Sequence, residues 1–123
     1  FMAPEVVLGD GTIDGRADLY SLACSACFAL TGQLLFQAST PGQMILQHVQ
    51  TPAVPPSQMS ELPIPRELDT VLMQCLEKKP AQRPRSALDL DAALARIPID
   101  EPWTQDDARD WWDTHAPEAL ARL

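Results

Sequence analysis

The sequence predicts an all-α segment with about five or six helices. Apolar residues recur at helical spacing in several windows, and no stretch alternates convincingly as a strand. The chain has 123 residues, of which 46% are hydrophobic, so it can build a core and is not expected to be disordered. We also find no internal repeat and no low-complexity stretch, so the chain is one small domain or part of a larger one.

A central helix is predicted over Ala17 to Leu30, where apolar residues occupy nearly all helical faces. Thr31 and Gly32 then stop the pattern. The surrounding stretch from Leu19 to Ser60 contains no Asp, Glu, Lys or Arg. A helix that is apolar all round needs neighbours on every side, so we expect this one to be buried.

After a loop, the pattern predicts a short helix over 41–50 that carries Met44, Ile45 and Val49 on one face. Residues 51–56 contain three prolines. Proline restricts both itself and the preceding residue to extended conformations. We therefore expect an extended exit from this helix.

The clearest helix follows Pro65. Its apolar residues have the spacing i, i+3, i+4, i+7 and i+8, namely Leu68, Val71, Leu72, Cys75 and Leu76. Lys78, Lys79 and Pro80 then supply the cations and the proline that are typical of a helix end.

Two further helices are predicted from their capping signals. Ser86 and Asp89 form a Ser-x-x-Asp start, and Thr104 and Asp107 form a second start of the same kind. The final helix is expected to end before Pro117.

Charge disfavours nucleic acid as a partner. The net charge is −8, and much of it comes from seven acidic residues within 98–123, whereas nucleic-acid binding needs a basic surface. One basic cluster, formed by Lys78, Lys79, Arg83 and Arg85, is interpreted as a solvated helix end.

Neither a membrane span nor a secreted disulfide scaffold is expected. The apolar run from Leu19 to Leu30 is shorter than the roughly 18 residues that cross a bilayer. Three cysteines are too few for a disulfide scaffold, which favours a cytoplasmic setting. The chain begins at Phe1 without a signal-like segment, so we interpret it as the middle of a longer protein.

Two apparent ligand loops are rejected. Gly9, Gly11 and Gly15 miss the G-x-G-x-x-G spacing by one residue and follow no strand. A calcium loop starting at Asp10 would need a bidentate Glu at its twelfth position, which is Ser21 here. A turn is the expected structure.

Cys24 and Cys27 suggest zinc or redox chemistry, and Cys75 with His48 could complete four ligands. The pair lies inside an apolar helix, where cysteine behaves as a small hydrophobic residue. We therefore predict core packing and no metal site. A zinc or redox domain remains the alternative, and it would require accessible thiols.

Four ordered groups of residues resemble the later motifs of protein kinases. They are Phe1-Met2-Ala3-Pro4-Glu5, Asp18-Leu19-Tyr20-Ser21-Leu22, Leu30-Thr31-Gly32 and Pro80-Ala81-Gln82-Arg83-Pro84. His48-Val49-Gln50 followed by Pro55-Pro56-Ser57 resembles the bacterial serine/threonine branch. The resemblance covers residues 1–97 and implies a helical part of the kinase C-lobe, with 98–123 as an acidic, tryptophan-containing helical extension.

The resemblance also implies roles for single residues. Glu5 should pair with Arg83 in a buried bridge, although two independent surface charges are the alternative. Asp18 should support the catalytic loop by accepting hydrogen bonds from its backbone, unless it is only a favourable charge at a helix start. Ala23 stands where the family usually has glycine, so packing there should differ slightly.

The helix over 41–50 corresponds to a region of kinases that often docks substrates or regulators. Met44, Ile45 and His48 are the candidate docking residues. Ordinary packing explains the same residues equally well.

The patterns that carry phosphoryl transfer do not occur in the 123 residues: the Gly-rich loop, the strand lysine, H-R-D and D-F-G. The resemblance therefore implies that a parent kinase binds ATP and magnesium upstream of Phe1 and phosphorylates protein Ser/Thr hydroxyls. This segment should bind no cofactor and be inactive alone. Its expected partners are the upstream part of the same kinase domain and protein substrates. A pseudokinase or a helical interaction module is the alternative, and the upstream sequence would discriminate.

The tail carries Trp103, Trp111 and Trp112 among acidic residues. We expect the tryptophans to pack onto the rest of the chain. A recruitment surface is the alternative, because tryptophan is enriched at interfaces. His115 is expected to be a solvated residue at a helix end.

Overall fold

The computed structural model describes residues 1–9 and 11–116. Within them the chain is all-α, as predicted, with six α-helices and no strand. The helices are α1 (Pro4–Leu8), α2 (Arg16–Thr31), α3 (Pro41–Gln50), α4 (Arg66–Cys75), α5 (Ala87–Leu94) and α6 (Gln105–His115), with 3₁₀ turns at Pro56–Gln58 and Pro80–Gln82. Asp10 of the rejected calcium loop and residues 117–123 of the extension lie outside the described residues.

The predicted ends of the helices are confirmed where a specific residue stops or caps the chain. Gly32 ends α2 with a φ of 68°, a left-handed conformation that glycine adopts without steric cost. Ser86 accepts a hydrogen bond from the Asp89 amide at the start of α5. Thr104 and Asp107 form a complete capping box at the start of α6.

The helix α1 was not predicted. It has five residues, which is too short for a helical period to be recognised. Pro4 occupies its first turn, and Gly9 ends it with a φ of 63°. The result is a single helical turn that holds Glu5 in the protein interior.

The core forms where α2 packs on α4 and α4 packs on α5. Its buried residues come mainly from α2, from α4 and from Leu76 directly after α4; those of the two helices are Ala17, Leu19, Tyr20, Ala23, Cys24, Cys27, Leu72 and Cys75. The expectation that α2 is buried on every side is wrong for this chain, because Leu22 and Phe28 are exposed. The described residues cover only one side of α2.

The helix α6 stands apart from this core. None of its residues is buried, whereas α2 alone contributes six buried residues. Across 1–9 and 11–116, no helix combines the length and the apolar character that crossing a membrane requires.

Candidate functional site

Glu5 and Arg83 meet in a buried ion pair. Nη1 of Arg83 lies 2.7 Å from Oε1 of Glu5, and Nη2 lies 2.9 Å from Oε2. The Arg83 side chain is 0% exposed and that of Glu5 is 10% exposed. Two parallel N–H···O bonds of this kind are the strongest arrangement of a guanidinium and a carboxylate.

Main-chain carbonyls satisfy the rest of the Arg83 guanidinium. Nε donates to the carbonyl of Glu77 at 2.8 Å, Nη1 donates to that of Arg16 at 2.9 Å, and Nη2 donates to that of Lys78 at 3.2 Å. Together with the two bonds to Glu5, all five donors of the guanidinium have an acceptor. A buried charge that is paired and fully hydrogen-bonded in this way is tolerated in a protein interior.

Arg83 also determines the ionisation of Glu5. Burial on its own raises the pKa of the Glu5 carboxyl, but hydrogen bonds from Arg83 and its positive charge outweigh burial, and the net effect is a lowered pKa. Glu5 is therefore ionised at neutral pH. The pair ties α1 to the segment that follows α4, 78 residues further along the chain.

Tyr20 of α2 extends this centre toward α3. Its ring centroid lies 4.9 Å from the guanidinium carbon of Arg83, within the range of a cation–π contact. Its hydroxyl lies 2.8 Å from Nδ1 of His48. Burial raises the pKa of Tyr20, so the hydroxyl keeps its proton and can donate to His48.

His48 of α3 is 5% exposed. The Phe36 ring meets the imidazole edge-on at 5.0 Å between ring centroids, and Nζ of Lys78 donates to the His48 carbonyl at 2.8 Å. Burial, together with the positive charges of the amino terminus at Phe1 and of Lys78, lowers the pKa of His48 to about 4. The imidazole is therefore neutral at physiological pH.

The three candidate docking residues do not share one surface. His48 points into the protein because it bonds Tyr20, so its side chain is not available for docking and that prediction is wrong. Ile45 is exposed, and Met44 is half-buried. Leu46, which the sequence argument did not select, is exposed beside Ile45. We call the two exposed apolar side chains of α3, Ile45 and Leu46, the α3 face.

Asp18 lies in the first turn of α2 and is exposed. Its predicted partners belong to a catalytic loop that the 123 residues do not contain. The support of a catalytic loop by Asp18 therefore stays a prediction.

Cys24, Cys27 and Cys75 are free thiols buried in the core. Burial raises the pKa of each thiol to about 11, so the reactive thiolate is scarce at neutral pH. The access that the zinc or redox alternative requires is absent for these residues. In the described part of the chain, no cluster of three His, Cys, Asp or Glu side chains is arranged to hold a metal ion.

The tryptophans of the extension are exposed, so the prediction that they pack onto the rest of the chain is wrong for the described residues. Trp103, Trp111 and Trp112 all present large apolar side chains to solvent. Trp111 instead stacks on His115 with 4.6 Å between ring centroids. These contacts lie within α6 itself.

Comparisons with known proteins agree with the resemblance to bacterial serine/threonine protein kinases. The chain is 36% identical over 102 residues to serine/threonine-protein kinase PknB of Mycobacterium leprae, which is 83% of this chain and 16% of that protein. It is 37% identical over 97 residues to PknB of Mycolicibacterium smegmatis, covering 79% and 15% of the two chains. It is 40% identical over 93 residues to PknD of Mycobacterium tuberculosis, covering 76% and 14%. No protein-family model matches the chain.

The all-helical fold is that expected of a helical part of a protein kinase C-lobe. The chain belongs to the bacterial serine/threonine protein kinases, and it spans about one sixth of the length of the relatives it matches, at most 16%. It is therefore homologous to a segment of these kinases.

Sequence reasoning missed the Tyr20–His48 hydrogen bond. Tyr20 is the only tyrosine of the chain and lies in the stretch without charged residues. A buried tyrosine hydroxyl needs a partner, and His48 is the polar ring of that same stretch. That was the available signal, but only the tertiary structure shows that the two rings meet.

Proposed function

We propose that the chain is part of a serine/threonine protein kinase that transfers the γ-phosphoryl group of ATP to Ser/Thr hydroxyls of proteins. The observation that carries this proposal is the Glu5–Arg83 pair, which joins two kinase-like motifs 78 residues apart at 2.7 Å. The relatives named above are serine/threonine-protein kinases, which supports the same reaction.

In this proposal the segment is a scaffold. The residues that bind ATP and magnesium and that act on the phosphoryl group lie upstream of Phe1. The segment itself binds neither cofactor, because it carries none of the residue patterns that hold phosphates or magnesium in kinases. Its chemical contribution is to hold the end of the activation segment, marked by Glu5, against the core through Arg83.

The segment also offers a docking surface for protein substrates. The α3 face places Ile45 and Leu46 in solvent side by side, and α3 packs next to α1, which carries Glu5. Exposed apolar side chains of this kind are typical of protein interaction sites. A substrate that binds the α3 face would lie beside the activation segment.

The test is phosphoryl transfer from γ-labelled ATP to a protein substrate, measured for the full-length protein and for the 123-residue chain. We expect transfer by the full-length protein and none by the chain alone. Full-length protein that folds but neither transfers phosphate nor binds ATP would overturn the proposal and favour a pseudokinase. An interaction module would then be tested through binding by the α3 face, with Ile45→Asp and Leu46→Asp as variants.

A further inference from the structure

Tyr20 stands between the Glu5–Arg83 pair and α3. Its ring lies 4.9 Å from the guanidinium carbon of Arg83, and its hydroxyl lies 2.8 Å from Nδ1 of His48. Tyr20 is fully buried. Water does not reach its hydroxyl, so the bond to His48 is the one that satisfies it among the described residues.

His48 is tied to residues outside α3 by its main chain as well as by its side chain. It lies in the last turn of α3, where helical carbonyls have no partner inside the helix. The Lys78 ammonium supplies the missing partner, because it donates a hydrogen bond of 2.8 Å to the His48 carbonyl. The same ammonium lies 4.8 Å from the Phe36 ring centroid, and Phe36 in turn packs on the imidazole.

His48 is also the one buried residue of α3. The other residues of the helix are exposed or half-buried, and among them Met44 packs against the core. Apolar contact is non-directional and tolerates sliding, whereas a hydrogen bond has a narrow range of distances and angles. The bond of His48 therefore gives α3 a directional tie to α2, in addition to its packing next to α1.

We propose that His48 is a positioning residue, which fixes α3 relative to the Glu5–Arg83 pair through the hydroxyl of Tyr20. The bond connects α3 to the ring that stacks on Arg83, and Arg83 holds Glu5 of α1. The α3 face and the activation-segment end are thus held by one continuous set of contacts.

The first test is hydrogen exchange of the amides of 41–50, measured by mass spectrometry in the full-length protein. His48→Leu substitutes an apolar side chain of similar size that cannot make the bond, and Tyr20→Phe removes only the hydroxyl. Each should speed exchange in α3 about tenfold, since each leaves one buried polar group without a partner. Gln50→Ala, an exposed site on the same helix, is the matched control and should leave exchange unchanged.

The double variant tests whether the two residues act together. If they act through one bond, Tyr20→Phe combined with His48→Leu should speed exchange in α3 no more than either single variant does. Additive effects would overturn the proposal. So would an increase that is spread equally over α2 and α4, because it would report a general loss of stability.

A conservative variant separates positioning from packing. His48→Asn places an amide oxygen near the position of Nδ1, so it can accept the hydrogen bond from Tyr20. We expect exchange in α3 to return toward that of the unmodified protein. Packing alone predicts the opposite order, with His48→Leu milder than His48→Asn, and that order would overturn the proposal.

The consequence for catalysis rests on the proposed kinase function and the docking role of α3. His48→Leu should raise KM for a protein substrate severalfold while kcat stays the same, because a displaced α3 face weakens binding and leaves the chemistry intact. An equal KM with a lower kcat would overturn this consequence. Absence of phosphoryl transfer in the unmodified protein would instead overturn the proposed function, and hydrogen exchange would still decide the role of His48.

Discussion

Arg83 and Glu5 form two parallel hydrogen bonds of 2.7 and 2.9 Å in a buried site. The pair closes a loop of 78 residues that contains α2, α3 and α4. The backbone carbonyls around Arg83 come from the start of α2 and from the segment that follows α4. One guanidinium therefore holds three parts of the chain together.

Removal of one partner of this pair should strongly destabilise the domain. We expect Glu5→Gln or Arg83→Met to lower the free energy of unfolding by about 3–5 kcal/mol, because each leaves a buried group without its partner. Denaturant unfolding of the kinase domain that contains the chain is the measurement. Arg85→Ala is the matched control, since Arg85 is exposed and its 3.4 Å pair with Asp89 should contribute only about 0–1 kcal/mol. If Arg85→Ala lowered the free energy of unfolding as much as Glu5→Gln or Arg83→Met does, the result would contradict the buried pair.

Acid should weaken the domain through His48. The pKa of His48 is lowered to about 4, against about 6.5 in an unfolded chain. The unfolded state therefore binds more protons between these values, so stability is complete above about pH 6.5 and falls as the pH drops toward about 4. Tyr20 and Lys78 are the titratable groups that contact His48, and neither changes its charge in this range.

The variant His48→Asn isolates this effect. Asparagine does not titrate, so the denaturation midpoint should lose most of its pH dependence between pH 6.5 and 4.5, while Glu5 still titrates at lower pH. Urea midpoints at a series of pH values are the measurement. If the urea midpoint falls equally with decreasing pH in the unmodified protein and in His48→Asn, groups other than His48 cause the acid sensitivity.

The three cysteines should be protected from thiol reagents in the folded protein. Cys24, Cys27 and Cys75 are buried, and their raised pKa values keep them in the less reactive thiol form. We expect slow labelling that accelerates on addition of denaturant. Rapid labelling of Cys24 and Cys27 under native conditions would instead support the zinc or redox alternative.

The 123-residue chain alone should be only marginally folded. An apolar cleft lies between α2, α4 and α5 and is lined by side chains that include Leu22, Leu68 and Leu94. Exposed apolar surface of this extent reduces the gain from burial in a small chain. We expect binding of an apolar dye and a broad thermal transition by circular dichroism. A sharp cooperative transition without dye binding would contradict this prediction.

The sequence by itself determined the helices α2 to α6 and the helix ends that carry a stop or cap residue, because these depend on local chemistry; the short α1 was missed. The spacing of Leu68 and Leu72 predicts α4, Gly32 ends α2 by adopting a left-handed conformation, and Ser86 and Thr104 cap α5 and α6 with their own side chains. Such signals operate within a few residues and need no knowledge of the rest of the fold. The order of the kinase-like motifs likewise predicted the family.

Only the tertiary structure decided which side chains meet and which face solvent. His48 and Ile45 both lie on α3, yet His48 turns inward to Tyr20, 28 residues away, and Ile45 is exposed. Trp111 and Trp112 carry the same apolar signal as core residues but remain exposed on α6. Burial depends on the neighbours that the packed chain brings to each face, and periodicity within one helix does not contain that information.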